Sequence, residues 1–266
     1  MEFDSKDARS ELALLVALAC FLPGDALAQD DLGHKAWDVT LGAGAALLPT
    51  YQGSDRYYVA PVPLVSLTWR DTVSLTTQGL SAYWHDGGLK IGGGLTYDGG
   101  RTQGSRFLFP GDSRLNGLGD VPAALGLRAF GSYELGPVTL NASVLKLTAP
   151  GNDGVLATVG LAAPVQLGER TKLTGSVSAT WADQSYMQTY FGVTPTQSAN
   201  SVYAPFQAGA GIKDLSVGLG VSHHLDRHWI LSADARVLFL TGDAASSPIT
   251  RSTVNAVLIT GVAYHF

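Results

Sequence analysis

The chain has 266 residues, 45% of them hydrophobic and only 15% charged, with 32 glycines, one cysteine and a formal net charge of −5. That balance is too poor in charge for an ordinary water-soluble enzyme, and the basic residues, never two in a row, are too scattered for a nucleic-acid binder. The mean hydropathy of +0.14 suits a membrane protein. After residue 28, however, no apolar run reaches the roughly 18 residues of a spanning helix, so a closed β-barrel is the remaining way to cross a bilayer with backbone polar groups satisfied.

Residues 12–22 form an apolar core too short for a stable anchor, followed by Pro23-Gly24 and the small-x-small pattern Ala26-Leu27-Ala28. Cleavage after Ala28 divides the chain into a Sec-type signal peptide, 1–28, and an exported domain, 29–266. The segment before the apolar core is atypical, because Glu2, Asp4, Asp7 and Glu11 outnumber Lys6 and Arg9; a start site assigned too far upstream accounts for it. Lipoprotein processing at Cys20 is the rival, but Ala17-Leu18-Ala19 lacks the usual apolar residue three before the cysteine. Once the signal peptide is removed, the domain has no thiol, disulfide or cysteine-based metal site.

From Trp37 onward, apolar residues alternate with small or polar ones at period two. Over 37–47, Trp37, Val39, Leu41, Ala43, Ala45 and Leu47 share one face, and Asp38, Thr40, Gly42, Gly44 and Ala46 the other. Similar patterns run through 62–69, 73–84, 89–97, 123–135, 138–147, 155–167, 171–181, 215–224, 229–240 and 254–266, eleven segments in all. Turn chemistry separates many of them, as at His85-Asp86-Gly87-Gly88, Leu135-Gly136-Pro137, Gly168-Glu169-Arg170 and Asp226-Arg227-His228. Two long irregular stretches, 98–122 and 183–206, alternate with the short turns if they face outward, the arrangement of bacterial outer-membrane barrels.

An even strand count puts both chain ends in the periplasm. A twelfth strand is expected at 203–212, or else by splitting or merging segments between 57 and 84. The last segment places Val254, Ala256, Leu258, Thr260, Val262, Tyr264 and Phe266 on a membrane-facing stripe that ends in aromatic residues. The expected fold is therefore all-β: a transmembrane antiparallel up-and-down β-barrel of about 12 strands in the Gram-negative outer membrane, filled or narrow inside. A soluble β-sandwich or lipocalin-like barrel is the competing fold. It would turn the apolar face inward, and the glycine- and alanine-rich second face argues against it.

Candidate chemistry is thin. His223-His224 and His228 are close in sequence, yet strand neighbours point to opposite faces, so they read as rim residues rather than metal ligands. No G-x-S-x-G occurs and no serine has a base at identifiable spacing. Gly92-Gly93-Gly94 and Gly42-x-Gly44 are followed by no helix that could hold a phosphate, and read as close-packing or bending positions. Asp153, Asp183, Asp243 and the Asp112/Asp120 pair fall in loops as solvated acids in weak divalent-ion contact with lipopolysaccharide. Inward positions are mostly Gly, Ala, Ser and Thr, with a few charges such as Asp38, Lys90, Arg128 and Asp234, which leaves pore selectivity unassigned. No catalytic, cofactor-binding or metal residue is assigned, and the chain is read as non-enzymatic.

Several segments together resemble the MltA-interacting protein (MipA/OmpV) family. They are Gly42-Ala43-Gly44, Pro49-Thr50-Tyr51-Gln52-Gly53-Ser54, Pro61-Val62-Pro63, Leu115-Asn116-Gly117-Leu118-Gly119-Asp120, Thr189-Tyr190-Phe191-Gly192-Val193, 240–249 and Gly261-Val262-Ala263-Tyr264-His265-Phe266. They lie in the family's order over nearly the whole exported domain. The chain departs from the family at Ser246, where an acidic residue is more usual, and in its acidic N-terminal segment. The resemblance implies an outer-membrane scaffold that brings a murein-cleaving lytic transglycosylase together with a peptidoglycan synthase; a narrow channel for small solutes is the alternative. No residue-level site comes with it.

Overall fold

The computed structural model describes residues 36–105 and 110–266. The expected signal peptide, 1–28, and Cys20 lie outside the described residues. Twelve strands close into one antiparallel barrel: β1 (Trp37–Pro49), β2 (Tyr57–Trp69), β3 (Val73–Thr76), β4 (Gly79–Asp86), β5 (Leu89–Asp98), β6 (Ala124–Leu135), β7 (Val138–Leu147), β8 (Val155–Leu167), β9 (Thr171–Ala182), β10 (Gly211–His224), β11 (Trp229–Leu240) and β12 (Val254–His265). Each strand pairs with its sequence neighbours, and β12 returns to β1 in the register Leu41↔Tyr264 to Leu47↔Leu258.

The period-two pattern explains the strands and sets their facing. Leu95, Leu127, Val159, Val177 and Val217 point outward and are exposed, whereas Thr40, Ala46, Thr158, Thr174 and Val257 point inward and are buried. The apolar face is thus the outer one, the reverse of a soluble barrel. Aromatic residues rim the belt at both ends: Trp37 opposite Trp69, Trp84, Tyr133 and Trp229 at the short-turn end, Tyr57, Trp181 and Phe239 at the long-loop end. Tyr264 joins the short-turn girdle by edge-on contacts with Trp229 and Phe266, centroids 5.1 and 4.8 Å apart.

The twelfth strand comes from the second of the two expected sources. Segment 73–84 is a hairpin, β3 and β4, joined by Thr77-Gln78, with Gly79 at φ +130°. Residues 203–210 form no strand; Phe206 makes only an isolated bridge to Val193, and of the expected segment only Gly211 and Ile212 are in a strand, as the start of β10. The hairpin was visible as a change of phase. Outward apolar residues are odd-numbered at Val73 and Leu75 and even-numbered at Leu80, Ala82 and Trp84.

The closing seam between β1 and β12 depends on missing side chains. A Cβ on Gly42 would lie 2.3 Å from the Val262 carbonyl oxygen, one on Gly44 2.2 Å from that of Thr260, and one on Gly261 2.6 Å from that of Ala43. These glycines let the two strands coil tightly across one another, the close-packing role expected from their spacing.

Candidate functional site: a capped lumen and a short-turn rim

Both described chain ends and the turns 70–72, 87–88, 136–137, 168–170 and 225–228 lie at one end of the barrel; the long connections lie at the other, the side towards which the Thr77-Gln78 turn also points. At the long-loop end, connections 50–56, 99–123 (in its described parts), 183–210 and 241–253 fold over the mouth as a cap. Two helices belong to the third of these: α1 (Gln184–Phe191), capped by the Asp183 carboxylate on the Tyr186 N–H, and α2 (Pro195–Asn200), which has a Thr194/Gln197 capping box. A short α3 (Gly242–Ser246) lies in the last connection.

The cap has its own core. Tyr186, Met187, Tyr190 and Phe191 of α1 pack on Leu147, Ala182, Leu240 and Ala244, while Tyr51, Leu115, Leu118, Val193, Tyr203 and Ile249 form a second cluster above. Phe191, Leu115 and Met187 are almost fully buried, each worth roughly 1.5–3 kcal/mol over an exposed position. Gly117, at φ +86°, meets residues 183–210 so closely that a Cβ would sit 1.9 Å from the Asn200 carbonyl oxygen. Most of the segments that carry the family resemblance thus lie in the cap.

Buried polar groups pin the loops together. Asp98 Oδ1 accepts from Tyr190 Oη (2.7 Å), Asn152 Nδ2 (3.0 Å) and the Gly100 N–H (2.8 Å). Arg101 is buried and donates to the Tyr190 carbonyl at 2.8 Å, its pKa lowered chiefly by that burial. A register shift between Ile212 and Asp214 turns Lys213 inward to pair with Asp214 and to donate to Gln52 Oε1 at 3.0 Å. Tyr51, whose hydroxyl donates to the Ile249 carbonyl, has its pKa pushed up to about 12 by burial, with the neighbouring Tyr203 and Asp112 adding to it.

The loop acids are not all solvated. Asp112 is 1% exposed and accepts from Thr50 Oγ1 (2.8 Å), the Arg114 N–H (3.0 Å) and Arg56 Nη1 (3.3 Å), tying 99–123 to 50–56. Arg114 also pairs with Asp55, holding that carboxyl below its ordinary pKa. Asp120 accepts from the Gln103 N–H, Asp243 from the Gly209 N–H and Asp153 from Ser185 Oγ. Asp112, Asp153 and Asp243 fasten one loop to another, whereas Asp120 stays exposed and bonds within its own loop, and nothing in their sequence spacing marked which would be buried.

Below the cap, Asp38, Lys90, Arg128 and Asp234 all take inward positions, as expected. Arg236 lies 3.9 Å from Asp234 on β11, and Lys90 stands over the Tyr83 ring at 3.8 Å. The histidines do not converge: His223 faces outward against Thr171 Oγ1 at 2.8 Å, His224 faces inward, and His228 stacks on Tyr264. His265 Nδ1 contacts both Thr40 Oγ1 (3.2 Å) and Asp38 (3.8 Å). One ring nitrogen serves both contacts, whereas a nucleophile–base–acid relay uses the two nitrogens separately.

A family model described as MltA-interacting protein MipA matches residues 41–266. No curated protein matches the sequence. Among solved structures the chain is similar to an outer-membrane channel from Pseudomonas putida F1, with 12% identity, a TM-score of 0.43, and coverage of 92% of this chain and 100% of that one. It is also similar to the outer-membrane protein OmpT of Vibrio cholerae, with 11% identity, a TM-score of 0.40, and coverage of 88% and 99%. At that identity neither likeness bears on function.

Proposed function

This chain belongs to the MltA-interacting protein (MipA) family, and we propose on that footing that it is a non-enzymatic scaffold on the periplasmic side of the outer membrane. The protein is an outer-membrane β-barrel. In the proposed reading, residues 1–28 are the signal peptide that exports it, lipopolysaccharide and phospholipid surround its apolar belt, and its short-turn end holds a lytic transglycosylase beside a peptidoglycan synthase.

The observation that carries this reading is the asymmetry of the two ends. The long-loop mouth is occupied by a cap with an apolar core, which favours a closed barrel over an axial pore. The short-turn end gathers rigid hairpin turns and ionisable side chains on the side where the cell wall lies. Arg70 and Asp71 stand there at φ +50°, with Asp71 held by His85 Nε2 (2.9 Å) and Tyr83 Oη (3.0 Å). Asp226 accepts the N–H groups of His228 and Trp229, which lower its pKa. A charged, preorganised rim of this kind can bind a partner at low ordering cost.

The test is capture of the two named enzyme classes from the same cell by the full barrel in nanodiscs. Recovery of both is expected, with loss on charge reversal at Arg70 and Asp71. Recovery of neither, under conditions that keep other periplasmic complexes intact, overturns the scaffold. Steady conductance in planar bilayers would instead support the narrow channel.

A further inference from the structure

The cations of the cap are gathered on one side. Among the described residues, the loops over the mouth carry arginines at 56, 101, 114 and 251 and no lysine. Arg101 is buried, and the other three, Arg56, Arg114 and Arg251, stand around loop 50–56. The longest described connection, 183–210, has none. Lys146, at the cap end of β7, lies outside the group and is tied to the Asp153 carbonyl.

Hydrogen bonds hold the three arginines to one turn. The Gly53 carbonyl accepts the N–H groups of Arg251 and Ser252, at 2.7 and 2.9 Å. Asn255 clamps the same turn, accepting the Gly53 N–H at 2.7 Å and donating from Nδ2 to the Ser54 carbonyl at 2.8 Å. Arg114, paired with Asp55, also stands by the Tyr51 hydroxyl. Arg56 donates to Asp112 and to Ser113 Oγ on the neighbouring loop, at 3.3 and 3.5 Å.

The protein does not consume all of this charge. Asp112 is turned into the cap, whereas the Arg56 side chain that it holds by one edge is 52% exposed. Arg251 is exposed and has no carboxylate partner among the described residues; its guanidinium lies 5.4 Å over the Tyr203 ring and donates from Nη2 to Tyr203 Oη at 3.2 Å. A guanidinium already seated on an aromatic face loses little freedom when its open edge takes up a phosphate.

The height of the group suits a lipid head group. Arg56 directly precedes Tyr57 of the aromatic rim, which marks the membrane boundary. Tyr57 Oη accepts the Ala256 N–H at 3.0 Å, across the end of β1. Below it, β3 pairs with β2 only from Ser66 to Trp69, so Val59, Pro61 and Pro63 have no strand beyond them. Val59, 67% exposed, is the most exposed large apolar side chain of the described strands.

We propose that this corner of the barrel binds a phosphorylated saccharolipid of the outer leaflet, its phosphates held by Arg56 and Arg251 with Arg114 beside them, and its acyl chains lying on β1 and β2 below Tyr57. Charge-assisted bonds from planar guanidinium groups are the contacts that single out a phosphate from other lipid head-group atoms. The site rests on the outer-membrane setting given above, in which lipopolysaccharide surrounds the belt, and is independent of the scaffold.

The test is titration of the delipidated full-length barrel in detergent with bisphosphorylated lipid A, followed by native mass spectrometry, with heat-modifiable mobility confirming that each variant is folded. Saturable binding is expected, weakened about tenfold or more by Arg56→Gln combined with Arg251→Gln. Arg56→Lys with Arg251→Lys should keep most of it, and Lys146→Gln should leave it unchanged. Absence of saturable binding by the folded wild type, equal binding of lipid A stripped of its phosphates, or binding indifferent to the double Gln variant overturns the site. Lipopolysaccharide that copurifies equally with wild type and double Gln variant from outer membranes overturns the site and leaves the setting intact. A barrel that does not fractionate with the outer membrane overturns both.

Discussion

Single residues decide whether the cap stays closed, and they were the least legible part of the sequence. Asp98 and Tyr190 lie 92 positions apart and Asp112 sits 62 from Thr50; no periodicity connects such pairs, so an acid that fastens loops reads like an acid in water. Removing the Asp98 carboxylate leaves the buried Tyr190 hydroxyl unpaired and takes one of two acceptors from Asn152 Nδ2, which keeps the Pro122 carbonyl. Asp98→Ala should therefore cost on the order of 3 kcal/mol, read as a lower urea midpoint in lipid vesicles. Tyr51 gives a pH test. Its folded pKa is raised to about 12 from 10.0, so its contribution is complete below pH 10 and fades as pH climbs towards 12. Protease sensitivity of 183–210 should rise over that interval in the wild type, and Tyr51→Phe should remove that component of the pH dependence.

At the scale of elements, alternation made the strands readable because the two faces of each strand meet different solvents, lipid outside and packed or hydrated side chains within. The exception is instructive. The β3–β4 hairpin reads as one strand to an eye that follows hydrophobicity, and only the odd-to-even shift across Thr77-Gln78-Gly79 reveals the reversal. Gly79 is indispensable there: at φ +130° a Cβ would lie 2.0 Å from the Leu95 carbonyl oxygen. Gly79→Val should destabilise the barrel by about 3 kcal/mol or more and slow its assembly, measured as the heat-modifiable fraction over time. The register shift that turns Lys213 inward was also invisible, since a one-residue bulge leaves no mark in composition.

The whole molecule is a closed barrel with a separate apolar cap, and each part contributes differently to function. Shaving the cap core should open the axis without unfolding the wall, because the strand ladder is continuous beneath it. Phe191→Ala, which empties a fully buried site at a cost of about 3–5 kcal/mol, is expected to produce fluctuating conductance in planar bilayers where the wild type stays silent; silence in both would place the seal elsewhere. The belt and its facing were plain from the sequence, whereas the cap depends on contacts between four distant loops.

Because β3 pairs with β2 only from Ser66 to Trp69, the edge of β2 that carries Pro61 and Pro63 has no strand beside it, and this has a consequence for neighbours. A strand edge stripped of donors is a poor template, so two copies that drift together in a crowded membrane cannot zip their walls into a shared sheet. Restoring the donors with Pro61→Ala and Pro63→Ala together should let side-by-side cross-linked pairs accumulate in proportion to protein density. The two rings that hold each barrel to its own company are thus a form of social distance written into the chain.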